Sequence, residues 1–302
     1  MTTVVISTHN PHPGRLARAL DGLQAQTLPL DQWECLLIDN ASTSPIQAPG
    51  LTNCRVIRET QLGLTYARRC GLREARGEWC VLVDDDNVLA PDYLEQVARL
   101  FAHHPKLGAM GGRSLPEFES APPAWAAEFF PLLALRDGSS GLSTAGLRRS
   151  PDGTHFLYPA CSPIGAGMAL RRDAAITWAE AIATDLLPDR RGTRLTSGGD
   201  NDIVLTLLHA GWEVGYFPEL TLTHLIPSFR LDADYLARLN RGIQCSWMQV
   251  LSRHGANGWP AIAGWTLPLR ILKTWWGNRA WRGPAERIRW QGAWGHFEGR
   301  VR

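Results

Sequence analysis

The chain has 302 residues, 44% apolar and 20% charged, which is enough to bury a sizeable core and excludes a disordered polypeptide. It has no apolar run of about 18 residues or more, so no membrane-spanning helix is expected. Met1 to Ile6 lacks the charged start and cleavage site of a signal peptide and reads as a first strand. The formal net charge is only +2, but residues 240–302 hold ten Arg or Lys against Glu286 and Glu298, together with eight of the thirteen Trp, which sets the C-terminal fifth apart.

The first third alternates strand and helix signals. Thr3 to Thr8 is β-branched and apolar, and Leu16, Ala19, Leu20 and Leu23 follow at helical spacing after Pro13-Gly14. Cys35 to Asp39 reads as a buried strand, Cys54 to Ile57 as a short third strand, residues 64–76 as a helix, Glu78 to Asp84 as a strand and residues 91–103 as a helix with Pro91 at its start. Such alternation predicts an α/β fold, a mainly parallel sheet covered on both faces, with ligands at the carboxyl ends of the strands. Residues 114–164 are rich in Pro, Gly and Ser and predict loops and short helices over one end of the sheet. Then come a strand and helix over 165–183, a polar loop at 184–199, a helix from Asp200 to Ala210, two strands between Trp212 and His224, and a helix over 232–254. The cysteines (Cys35, Cys54, Cys70, Cys80, Cys161 and Cys245) form no CxxC pair and read as reduced, structural thiols.

Five places carry candidate chemistry. In Val81-Leu82-Val83-Asp84-Asp85-Asp86-Asn87 three carboxylates close a buried strand. Carboxylates about 5 Å apart repel by about 3 kcal/mol at an effective dielectric near 20, a cost that a divalent cation removes, and hard oxygen ligands suit Mg²⁺ or Mn²⁺. A solvated acidic turn is the plainer alternative. Alternation along an extended segment would put Asp84 and Asp86 on one face and Asp85 on the other. Asp39, ending the second strand before Asn40 and Ser42, can cap a turn or accept a ligand N–H. Gly63-Leu64-Thr65-Tyr66-Ala67-Arg68-Arg69-Cys70-Gly71 opens a helix at the ligand edge, where free amides favour phosphate. Only one of Arg68 and Arg69 can face that edge. Asp200, in Ser197-Gly198-Gly199-Asp200-Asn201-Asp202, is an N-cap or, beside glycines that admit a ligand, a working carboxylate. His224 ends an apolar strand as a core residue or as a ligand that meets the Asp cluster.

Taken in order, these segments resemble the family 2 glycosyltransferases over about residues 3–227. Val4-Val5-Ile6-Ser7-Thr8-His9-Asn10 is similar to that family's first strand and nucleotide loop, and Asp84-Asp85-Asp86 to its DXD motif. Gly165-Ala166-Gly167-Met168-Ala169-Leu170-Arg171-Arg172 is similar to its acceptor-side segment. Arg69 stands where the family usually has Asn, and Gly199 where it usually has Glu.

The resemblance implies a GT-A fold and an enzyme that binds a nucleotide-diphosphate sugar, UDP- or dTDP-linked, through Thr8, His9, Asn10, Asp39, Arg68, Asp84 and Asp85. It implies Mn²⁺ or Mg²⁺ on Asp86 and His224, and Asp200 as general base for inverting transfer to a hydroxyl, in cell-surface polysaccharide or glycolipid synthesis. Residues 1–230 would form the transferase domain, with 1–113 as the nucleotide-binding half and 114–230 as the acceptor half. Residues 231–302 would be a helical, basic, Trp-rich extension. The polar loop 184–199, with Arg190, Arg191 and Arg194, would close over the donor.

Two rivals stay open: a non-catalytic nucleotide-sugar binding protein, and a sugar-1-phosphate nucleotidyltransferase, although the Gly-rich loop the latter needs after the first strand is missing. GxGxxG and GxxxxGK are absent, against a dehydrogenase and a P-loop kinase. Acceptors would be saccharides or lipid-linked saccharides, and nucleic acid is not expected. The location would be cytoplasmic, with two readings of Trp275, Trp276, Trp281, Trp290 and Trp294 among Arg279, Arg282, Arg287 and Arg289: a peripheral membrane contact, or Trp packed onto the transferase domain with the Arg facing water. Gly277, Gly283, Pro284 and Gly292 predict short helical pieces there.

Overall fold

The structure is a computed structural model and describes residues 1–48, 50–138, 141–181 and 195–302. Its first half runs β1 (Thr2–Thr8), α1 (Pro13–Gln24), β2 (Trp33–Asn40), β3 (Cys54–Glu59), α2 (Leu64–Glu74), β4 (Trp79–Asp84), β5 (Asn87–Leu89), α3 (Tyr93–His103) and β6 (Leu107–Phe118). A 3₁₀ helix (Ala124–Leu133), β7 (Ser143–Ala145) and a small ribbon of β8 (Arg148–Arg149) and β9 (Phe156–Leu157) follow. The remainder is β10 (Ala169–Arg171), α4 (Arg172–Ala181), α5 (Gly199–His209), β11 (Glu213–Ile226), a 3₁₀ turn (Ser228–Leu231), α6 (Ala233–Arg253), α7 (Leu267–Gly277) and α8 (Pro284–Glu298).

The main sheet has the order β3-β2-β1-β4-β10-β6-β11-β5, with β7 also on β11. Its long ladders are parallel, while the short strands β10, β5 and β7 pair antiparallel. The period-2 pattern of the strands divides the core as a two-faced sheet requires. Val5, Leu36, Ile38 and Leu82 pack with α2, α4 and α5 on one face. Val4, Ile6, Leu37 and Val81 pack with α1 and α3 on the other. A third cluster joins the 3₁₀ helix to Ile226, α6 and Ile288 of α8.

The middle of the chain differs from the sequence expectation of loops and short helices: β6 runs on to Phe118, past the predicted boundary at 114, and β7, β8 and β9 are short strands. The two strands expected between Trp212 and His224 are one strand, β11, which pairs with β6 across a register shift between Tyr216 and Thr221. An irregularity of this kind breaks the hydrophobic alternation without ending the strand, and so reads in sequence as two strands.

Candidate active site

Because β1, β2 and β4 are parallel neighbours, their carboxyl ends share one edge, with Thr8 beside Asp39 and Ser7 beside Asp84 in the ladders. A cleft of about 270 Å³ opens there. Its walls include Thr8, His9, Arg68, Asp84, Asp85, Asp86, Asp200 and Arg230. The sequence-predicted residues from the first strand, the α2 helix, the acidic strand end and the α5 start are thus brought together.

The acidic segment does not follow strand alternation. The chain leaves β4 at Asp84, turns at Asp85 and Asp86, and re-enters the sheet as β5, so Asp85 also faces the cleft. Thr8 Oγ1 donates a hydrogen bond to the Asp85 carboxylate. Burial, and after it the neighbouring Asp86, push the Asp85 carboxyl up to about 6. Asp84 faces the Arg68 guanidinium at 3.6 Å. Arg68 is buried and Arg69 only half so, and Arg68 is the one on the cleft wall. A Cβ at Gly165 would stand 2.6 Å from Arg68 Nη2, so the glycine makes room for the guanidinium.

Asp86 is buried and held from the far side of the sheet. Antiparallel pairing of β5 with β11 sets His224 opposite Asn87, and His224 Nε2 lies 3.3 Å from Asp86 Oδ1. Arg230 Nη2 reaches Asp86 Oδ2 at 3.0 Å, and its Nη1 lies 3.1 Å from His224 Nε2. Burial alone would lower the Arg230 pKa, but Asp86 and the other nearby acids outweigh it and the net shift is upward. The sequence reading missed Arg230. Its only trace was a single Arg in the otherwise uncharged stretch that follows His224.

At the opposite wall, α5 begins at Gly199 with Gly198 as N-cap, so Asp200 lies in the first turn and is not itself the cap. Its Oδ2 accepts the Gly165 N–H at 3.1 Å and its Oδ1 accepts the Asn201 N–H at 2.9 Å. Asp202 points away, into bonds with Trp178 Nε1 (3.0 Å) and His254 Nε2 (2.8 Å), and anchors the helix.

Asn10 and Asp39, also expected at the site, are not on the walls of this cleft. Asn10 adopts a positive φ of 48° and accepts from the N–H and hydroxyl of Thr43, both at 2.9 Å. Burial would raise the Asp39 carboxyl, but hydrogen bonds from Ser42 and the Arg58 guanidinium at 2.6 Å hold it below its ordinary value. His9 Nδ1 lies 2.7 Å from the Asn40 carbonyl. Arg190, Arg191 and Arg194 of the expected closing loop lie outside the described residues.

Among the described residues no three His, Cys, Asp or Glu side chains form a ready-made metal cage. The donor chemistry nevertheless fits a hard divalent ion that takes its remaining ligands from a bound diphosphate. Three neighbouring carboxylates line one cleft, and burial together with the crowding of Asp86 and Asp84 raises Asp85.

This sheet and cleft define a GT-A fold, the architecture of nucleotide-sugar transferases. The sequence matches the family model described as Glycosyl transferase family 2 over residues 3–175, and the chain belongs to that family. Among curated relatives it is 21% identical over 175 residues to the glucosyl-dolichyl phosphate glucuronosyltransferase of Haloferax volcanii, covering 58% of this chain and 51% of that protein. It is 37% identical over 101 residues to the succinoglycan biosynthesis protein ExoW of Rhizobium meliloti, covering 30% and 31%. The chain spans about half or less of the length of the curated relatives it matches. Among solved structures, residues 1–349 of S. aureus TarS in complex with UDP superpose with a TM-score of 0.54 at 14% identity, over 98% of this chain and 89% of that one. GalNAc-T7 with UDP, GalNAc and Mn²⁺ gives 0.56 at 14%, over 83% and 47%.

Proposed function

We propose that this chain is an inverting, metal-assisted glycosyltransferase that moves a sugar from a UDP- or dTDP-sugar to a hydroxyl of a saccharide or lipid-linked saccharide. The observation that carries this reading is the meeting, in one cleft, of the Asp84–Asp86 carboxylates and Arg68 with Asp200 on the facing wall. A binding protein needs only the first set, whereas transfer also needs a carboxylate to accept the acceptor's proton.

In the reaction the acceptor oxygen attacks the anomeric carbon from the face opposite the diphosphate. Its proton passes to the Asp200 carboxylate, and the bond from the anomeric carbon to the diphosphate oxygen breaks, releasing the nucleoside diphosphate. General-base help of this kind contributes about 10²–10⁴-fold. The Gly165 and Asn201 N–H groups orient the Asp200 carboxylate for that task. Arg68 and the first amides of α2 would bind the diphosphate, with Thr8, His9, Asn10 and Asp39 on the nucleoside side. A divalent ion on Asp86, with Asp84 and His224 nearby, would supply Lewis-acid neutralisation of the leaving group's charge.

A role in polysaccharide or glycolipid synthesis accords with one relative that acts in succinoglycan biosynthesis and another that is a glucosyl-dolichyl phosphate glucuronosyltransferase. A screen of nucleotide sugars with Mn²⁺, reading released nucleoside diphosphate, identifies the donor. Asp200→Asn should then retain donor affinity and lose at least about 10²-fold in transfer. Full transfer by Asp200→Asn removes the base from this residue.

A further inference from the structure

α7 contributes no residue to the core. Along it and the turn before it, Trp265 is 78% exposed, Leu269 65%, Leu272 62% and Trp276 69%. Their spacing of four, three and four residues draws one stripe down one side of the helix. Trp281, 50% exposed, extends the patch by packing its ring 5.1 Å from that of Trp276. A contiguous group of exposed large apolar side chains on one helix marks an interaction surface.

The charge around the stripe says what covers it. Residues 236–285 contain no Asp or Glu. Lys273, Arg279 and Arg282 are exposed along or just beyond the helix. The other side of α7 rests on α8, where Trp290 Nε1 donates to the Ile271 carbonyl at 3.2 Å.

Not all of the basic, Trp-rich segment takes part. Arg241 lies over the Trp294 ring at 3.7 Å. Arg287 is paired with Asp234 at 2.6 Å and Arg289 with Glu128 at 2.7 Å. Those residues fasten α8 to the rest of the fold and leave α7 as the outward face.

From this we propose that α7 and the turn that follows it are a docking surface for an anionic lipid bilayer. The helix lies in the interface with Trp265, Leu269, Leu272 and Trp276 in the acyl boundary, while Lys273, Arg279 and Arg282 meet the headgroups. Trp rings favour this depth, and a short amphipathic helix gains from apolar burial and from anionic charge together. The inference rests on the proposed transferase working at a membrane, and names the surface that holds it there.

The test uses the full chain and vesicles of phosphatidylcholine, with and without phosphatidylglycerol. The protein should pellet with the anionic vesicles, less in high salt, and little with the neutral ones. Lys273→Gln and Arg282→Gln should each weaken binding about fivefold, and Leu269→Ser with Leu272→Ser and Trp276→Ser should abolish it. The substituted side chains are exposed, so the variants should melt as the parent does and still release nucleoside diphosphate from the donor. A failure here is therefore distinguishable from a failure of the transferase reading. The proposal is overturned if the parent stays in solution with anionic vesicles, or if the triple variant pellets as well as the parent. It is equally overturned if the parent elutes as a dimer that the triple variant splits, since the stripe is then a contact between copies of this chain.

Discussion

Asp85 is set apart from its neighbours by burial, and after that by Asp86, which together push its carboxyl from 3.8 to about 6 against the opposing pull of the Thr8 hydroxyl. Between those values the folded chain keeps a proton that the unfolded chain has released, so stability falls as pH rises through this window. Above it the folded state carries a buried, crowded charge. In metal-free buffer near pH 8, Asp85→Asn should therefore be more stable than the parent, by at most about 3 kcal/mol, with the gap closing near pH 4. Thermal melts at both pH values check this, and identical curves at the two would contradict it. The residue types at the site were legible because three adjacent carboxylates at a strand end are hard to explain otherwise. Their directions were not, since alternation holds only while the chain is extended and this chain turns at Asp85. Arg230 was illegible for another reason: it reaches Asp86 only through the pairing of β5 with β11, a tertiary fact that leaves no local pattern.

At the scale of elements, the strands and helices of the first hundred residues, apart from the three-residue β5, could be read because each carries a clear period and short connections. α8 could not. Gly292 there looked like an interruption, yet it lies within an unbroken helix. Its role is to let α8 approach α6. A Cβ at Gly292 would stand 2.4 Å from Asn240 Nδ2, one at Gly295 would stand 2.1 Å from the Arg241 carbonyl oxygen, and one at Gly299, just beyond the helix, 2.4 Å from the Cys245 carbonyl oxygen. The spacing of three and four residues puts all three on one side, so propensity argued for a break where packing asked for a groove. Backbone cannot yield as a flexible side chain does, so Gly295→Ala should push the helices apart and cost about 1–3 kcal/mol, despite the better helix propensity of Ala. A melting temperature at or above the parent's would show that the contact has slack.

At the scale of the whole molecule, chain order made the architecture legible before any coordinate: alternating strands and helices with acidic and glycine-rich segments at strand ends. The charge imbalance between the C-terminal fifth and the rest was visible too, but which of its Trp and Arg face outward depended on how α7 and α8 pack. A similar imbalance exists inside the cleft. The described residues lining it include Asp84, Asp85, Asp86 and Asp200 against Arg68 and Arg230, a formal deficit of two positive charges. Both guanidiniums already face carboxylates of the cleft, Arg230 with Asp86 at 3.0 Å and Arg68 with Asp84 at 3.6 Å. A nucleoside diphosphate would add further negative charge to this space. At an effective dielectric near 20, each like-charge contact of about 5 Å costs about 3 kcal/mol. If the cleft binds a diphosphate, the α2 amides and Arg68 would offset part of that cost, and a divalent ion held by these carboxylates would offset the remainder. UDP affinity measured by calorimetry should therefore fall at least about tenfold when EDTA replaces Mn²⁺, a change of about 1.4 kcal/mol. Mg²⁺ should restore it in part, and added NaCl, a monovalent salt, should not. Equal affinity with Mn²⁺ and with EDTA would mean that Arg68 and the helix amides carry the diphosphate alone, and that Asp86 serves to hold Arg230 and not a metal.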